Sequence, residues 1–167
     1  MSSNRRWAAL RAVVLAGASS MCAAPGDTAT SERCVGDSPI SVTRWVWKHS
    51  PQLATANSDR FVSAEFLAAM RRDTAQAKAN DEMCGLCGGD LWTDSQEGYA
   101  RAPMDFKEKR RAADSAEVVY AFRFSVERDG PSESRSTRIL LRKEQGCWKI
   151  DDIVHGSGSL KSLVSGT

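Results

Sequence analysis

Histidine is scarce in this chain: His49 and His155 are the only two in 167 residues, and they are too far apart to form a paired-histidine metal motif. Glycine-rich phosphate loops and the Gly-x-Ser-x-Gly turn of a hydrolase nucleophile are also missing. No segment repeats. An excess of one charge is lacking as well, since 23 Lys and Arg face 21 Asp and Glu for a formal net charge of +2. Bulk electrostatics therefore gives the chain no reason to seek nucleic acid. No apolar run approaches the ~20 residues needed to cross a bilayer, so no stable membrane span is expected.

What is present begins with a leader. Arg5 and Arg6 precede Trp7-Ala8-Ala9-Leu10, and Arg11 is followed by the apolar run Ala12 to Ala18. A basic start, a short apolar stretch and then small residues are the layout of a secretory signal peptide, expected over residues 1–24. Cleavage is expected near Cys22-Ala23-Ala24. A lipid anchor at Cys22 is the disfavoured alternative, because Met21 is bulky where a small residue precedes a lipidated cysteine. Without the three leader arginines the formal charge falls from +2 to −1. The chain then reads as periplasmic or secreted. The rest, with 41% apolar and 26% charged residues overall, has the composition of one soluble domain with a sizeable core.

Cysteine usage fits the same compartment. Beyond Cys22 there remain Cys34, Cys84, Cys87 and Cys147, an even set that reads as two disulfides with three possible connectivities. The expected pairing joins Cys34 to Cys84 or Cys87 and Cys147 to the other, tying the helical half to the last strand. Each bridge would contribute ~2–4 kcal/mol.

Residues 25–37 are small and polar and read as a flexible lead-in to a single domain over 38–167. Ser38-Pro39 supplies an N-cap and a first-turn proline. The helix carries Ile40, Val42, Trp45, Val46 and Trp47 and stops at Ser50-Pro51. A second helix starts at Ser63, with Phe66, Leu67, Met70, Thr74 and Ala77 at three- and four-residue steps, and ends at Ala79-Asn80-Asp81. After residue 112 the period becomes two. Val118, Tyr120, Phe122, Phe124 and Val126 form one strand face, Asp129-Gly130-Pro131 a turn, and Thr137, Ile139 and Leu141 the next strand. A turn at Gln145-Gly146 leads into Cys147 to Val154. Leu160, Leu163 and Val164 suit a last helical turn. Helices followed by a three-stranded meander indicate an α+β fold. The basic clusters Arg71-Arg72 and Lys107 to Arg111 read as solvated faces.

The closing Trp148-Lys149-Ile150-Asp151-Asp152-Ile153 and the Asp-rich segment Gly89 to Glu97 carry a resemblance. The order of elements over residues 38–164 resembles the nuclear-transport-factor-2-like superfamily, and more narrowly a family of bacterial exported domains ending in a Trp-Lys-Ile-x-Asp-Ile pattern. The resemblance implies a cone, with N-terminal helices packed on a curved antiparallel sheet open at one end. It implies no reaction, because the family carries no agreed catalytic set.

Strict alternation along the last strand puts Trp148, Ile150 and Asp152 on one face. A carboxylate at the core margin there is the one candidate general acid or base, with His155 close behind. The competing reading, which is favoured, has Asp152 fixing the sheet end and His155 in solvent. Cys84-Gly85-Leu86-Cys87 has the spacing of a thiol-disulfide oxidoreductase but follows a helix rather than opening one, so a structural role is expected. Asp90, Asp94 and Glu97 lack the ligand spacing of a calcium loop. No metal or cofactor is implied. The favoured function is an exported, non-catalytic binding protein, in its sharpest form an immunity protein that neutralises a toxin effector, with Trp92, Asp94, Glu97 and Tyr99 as partner contacts. The alternative is a small-molecule pocket protein that uses Asp152, with Trp148 and Tyr120 lining the pocket.

Overall fold

A computed structural model describes residues 34–166. The expected signal peptide, Cys22 and most of the lead-in lie outside the described residues. Helix α1 spans Pro39–His49, a 3-10 turn Ser58–Arg60, and helix α2 Ala64–Asn80. The strands follow as β1 (Tyr99–Arg111), β2 (Ser115–Ser125), β3 (Glu133–Glu144), β4 (Cys147–His155) and the short β5 (Gly158–Ser159), and helix α3 (Leu160–Ser165) closes the domain.

The helix ends are set by local chemistry. Ser38 accepts from the Ser41 amide while the Ser41 side chain returns a bond to the Ser38 backbone, and Pro39 occupies the first turn. Ser63 caps α2 through the Phe66 amide, and α2 ends on Asp81 in the left-handed conformation. Both helices match the expected boundaries.

The sheet is antiparallel throughout, in the order β1-β2-β3-β4-β5. Gln145 and Gly146, both at positive φ, turn β3 into β4, as a two-residue hairpin with left-handed central residues requires. Beyond β4, residues 61–63 take the next place, with Ser63 donating to the Ile150 carbonyl and Ile150 to the Phe61 carbonyl, each at 2.8 Å. Together with β5 they cover that edge. The other edge is β1, where Pro103 and two register shifts guard against further pairing.

Two expectations need correction here. The three-stranded meander becomes four long strands and one short one, because β1 was read as a solvated segment. Only Phe106 in it is buried, so an edge strand dense in Lys and Arg shows no apolar alternation. The strict alternation on β4 is also broken. Leu141 pairs with Ile150 but Leu140 pairs with Asp152, leaving Asp151 as a bulge. Asp152 therefore shares the face of half-buried Leu140, opposite the face of Ile150 and core Leu141.

The core lies between the sheet and the helices. Val42 and Val46 of α1 and Phe66, Leu67 and Met70 of α2 meet Val118, Tyr120, Phe122, Ile139, Ile150 and Ile153 of the sheet. Each such side chain contributes about 1.5–3 kcal/mol by leaving water. Tyr120 stacks on Phe106 at 4.7 Å and Phe122 at 4.8 Å, with Trp92 edge-on at 6.3 Å. These rings fill the space where the pocket reading placed an open cavity around Tyr120. Trp148 is likewise buried, with Arg111 and Lys143 over its ring.

The disulfides also pair differently from expectation. Cys34 joins Cys147, and Cys84 joins Cys87. A tight turn in which the Cys87 amide donates to the Cys84 carbonyl at 3.0 Å brings those two Cα atoms to 5.2 Å, so the pair closes on itself and leaves the distant cysteines to each other. Spanning 113 residues, the Cys34–Cys147 bridge is worth about 5 kcal/mol by loop entropy and the short bridge less than half of that. Two disulfides suit an oxidising compartment. Among the described residues no helix is long and apolar enough to cross a membrane.

Candidate functional site

Between α2 and β1 runs a segment of mostly irregular backbone that is nevertheless held at many points. Cys84–Cys87 closes its first turn, and the Gly85 amide donates to Asp73 of α2 at 2.9 Å. Asp90 then builds a turn of its own: its carboxylate accepts from the Trp92 amide at 2.7 Å and the Thr93 amide at 3.1 Å, while its backbone amide donates to the Ser95 carbonyl. Asp94 sits at φ 54, a left-handed position that Asp tolerates better than most residues.

The loop is pinned to the domain from inside. Trp92 is only 2% exposed. Its indole donates to the Pro51 carbonyl at 2.9 Å, and its own carbonyl accepts from the Thr137 hydroxyl at 2.7 Å. Trp92 is thus an anchor and not a partner contact, which corrects the expectation. Its ring packs against Tyr120 because the loop folds back over the sheet. His155, expected in solvent, is buried as well, with its Nε2 donating to the Leu91 carbonyl at 2.9 Å. The bulge at Asp151 turns it inward. Ser157 donates to Asp94 at 2.6 Å. Where the loop enters β1, Gly98 stands at φ +116, and a Cβ there would lie 2.5 Å from the Phe124 ring, so only glycine fits.

Three of the four expected contacts do face out. Asp94, Glu97 and Tyr99 are exposed along this one loop, with Arg128 over the Tyr99 ring. The structure adds two that the sequence reading passed over: Met83 is 76% exposed and Leu163 is 59% exposed. Leu163 belongs to the last helical turn that its apolar spacing suggested, and Met83 to a stretch without periodicity. Clefts flank the loop. One of about 680 Å³ is lined by Pro51, Met70, Thr74, both cysteines and Trp92. The other, about 330 Å³, lies between the loop, His155 and α3.

Asp152 takes the structural role. One carboxylate oxygen accepts from the Ser159 hydroxyl at 2.6 Å and the other from the Lys161 amide at 2.9 Å. Both oxygens are thus engaged in fixing the start of α3, which is the work of a cap. Burial pushes the Tyr120 hydroxyl up to about 12, a rise only partly opposed by the neighbouring Trp47 indole. No partner meets that hydroxyl in hydrogen-bond geometry. Among the described residues no group of His, Cys, Asp and Glu has the arrangement of a metal site.

No family model matches the chain, and no curated protein matches it. Among solved structures, the chain is similar to a chain of the type VI native effector–immunity complex Tae3–Tai3 from Ralstonia pickettii, with 20% identity and a TM-score of 0.47, covering 72% of this chain and 97% of that one.

Proposed function

We propose that this chain is an exported, non-catalytic binding protein that engages a protein partner through the loop from Met83 to Tyr99, and that the partner is a toxin effector it neutralises. The observation that carries the reading is the loop's construction. A segment with little regular structure is fixed by a disulfide, a buried tryptophan and a set of directional hydrogen bonds, while Asp94, Glu97 and Tyr99 point to solvent. A loop ordered before binding loses little entropy on contact. Tyrosine flanked by charged groups is a composition that interfaces favour at their anchors and rims. The leader-like layout of the first residues, the small size and the disulfides support an exported module. This reading rests on the loop and the sequence, not on the likeness to the Ralstonia pickettii complex. The nuclear-transport-factor-2-like affiliation belongs to the same proposal, supported by helices preceding an antiparallel meander that closes on Trp148 to Ile153.

The test presents the purified, oxidised chain to the products of neighbouring genes expressed one at a time. The expected result is one stoichiometric complex with a protein that is toxic alone and harmless with this chain. If no product binds, and none loses toxicity, the immunity reading falls.

A further inference from the structure

The smaller cleft holds a buried acceptor that lacks a donor. The His155 side chain is 3% exposed. Its Nε2 faces a carbonyl, which can only accept, so a ring hydrogen resides there, and in the neutral ring Nδ1 is then an acceptor. That Nδ1 has no hydrogen-bond partner. Asp94 Oδ1 lies 3.6 Å from it, and it too is an acceptor, the other Asp94 oxygen being taken by Ser157. Two neighbouring acceptors with no donor between them are unfavourable inside a protein.

The rest of the cleft complements one kind of ligand. No lysine or arginine lines it, while Asp90, Asp94 and Gln96 supply acceptors. Leu86, Leu160 and Leu163 make its walls apolar. Exposed Leu163 stands at the mouth, and Met83 lies across the loop beside Gly88. An aliphatic stem suits those walls, and a cationic head with several N–H groups suits the paired acceptors. The geometry points to a receptor for a basic side chain, a lysine or arginine of the protein partner, whose stem lies along Leu160 and Leu163 and whose head pairs with the half-exposed Asp94 carboxylate in front of His155. The inference rests on the chain being a protein-binding module, and it names the chemistry its partner presents at this spot.

The probes are Nα-acetyl-arginine methylamide and its lysine counterpart, with the citrulline analogue as a neutral control of the same shape. They are titrated into the full oxidised chain while the imidazole nitrogens of His155 are followed by NMR. We expect a saturable shift of the His155 nitrogens with the cationic probes. Binding should weaken at least about tenfold with the citrulline analogue and with Asp94→Asn. Leu163→Arg, a change at an exposed position that leaves the core intact, should abolish the response by placing the chain's own cation at the mouth. An equal response to the neutral control, or no saturable shift, would overturn the inference. The two proposals fail separately. A confirmed toxin partner whose affinity ignores both substitutions refutes the receptor alone. Probe binding without any protein partner refutes the immunity reading alone.

Discussion

On the sheet side, Val118, Tyr120, Ile139, Ile150 and Ile153 are fully buried, α1 and α2 pack against them, and the Cys34–Cys147 bridge spans 113 residues of chain. On the loop side, Trp92 is buried in the core with half-buried Leu86 and Leu91 at its margin, and the rest is held by Asp90, Asp73, Thr137, His155 and a bridge spanning three residues. Apolar burial is strong but non-directional, whereas hydrogen bonds are individually weak and fix angles. The sheet side therefore supplies stability and the loop side supplies shape. Apart from the Ser157 bond to Asp94, the division leaves the charged tip of the loop facing solvent, which is what a contact surface requires.

Separate removal of the two bridges breaks this comparison most directly. Replacing Cys34 and Cys147 with serine is expected to lower stability by about 3–5 kcal/mol, and replacing Cys84 and Cys87 by less than about 2 kcal/mol. Denaturant melts of the two double variants check the order. Equal losses would mean that the loop carries as much of the fold as the sheet does.

Trp92→Ala comes next, with an expected loss of about 3–5 kcal/mol from the cavity and the broken anchor. Hydrogen exchange should show protection falling in the loop and around Tyr120 together. If only the loop opens, Trp92 is less of a link than its burial indicates. Asp152→Asn keeps the shape but turns one acceptor into a donor, so about 1–2 kcal/mol should be lost. Faster exchange of the Lys161 amide would report the loosening of α3.

The smallest effect has the opposite sign. Tyr120→Phe removes a buried hydroxyl without a partner and should stabilise by up to about 1 kcal/mol at neutral pH. The folded-state value of about 12 lies above the ordinary 10.0, so the unfolded chain loses this proton more easily. Its ionisation therefore adds no cost below about pH 10, and stability declines from there to about pH 12. Melting temperatures across that range should fall less steeply in the phenylalanine variant.

How much of this was legible in the chain depends on how local each signal is. Ser38-Pro39, Ser63 and Gln145-Gly146 state their elements within three or four residues, and α1, α2 and the β3–β4 turn follow from them. The strands β2 and β3 show their buried face by alternation. Strand β1 shows none, because an edge strand with only Phe106 buried needs no apolar period. The bulge at Asp151 left a faint mark: Ile150 and Ile153 both face the core with two acids between them, a spacing that simple alternation does not allow. Reading that spacing would have turned His155 inward and moved Asp152 off the core face. The pairing of cysteines and the burial of Trp92 depend on how the loop folds back over the sheet, and no local pattern encodes that. Of the site, the exposed Asp94, Glu97 and Tyr99 were readable from composition, but the cleft beneath them was not.

The most direct test of the account is calorimetric titration of the identified partner into the wild-type chain and into a variant combining Asp94→Asn, Glu97→Gln and Tyr99→Ala. The account predicts that affinity falls by at least about 100-fold, equivalent to about 2.7 kcal/mol, while the melting temperature holds. Unchanged affinity in a folded variant would contradict it and move the contact surface away from the loop.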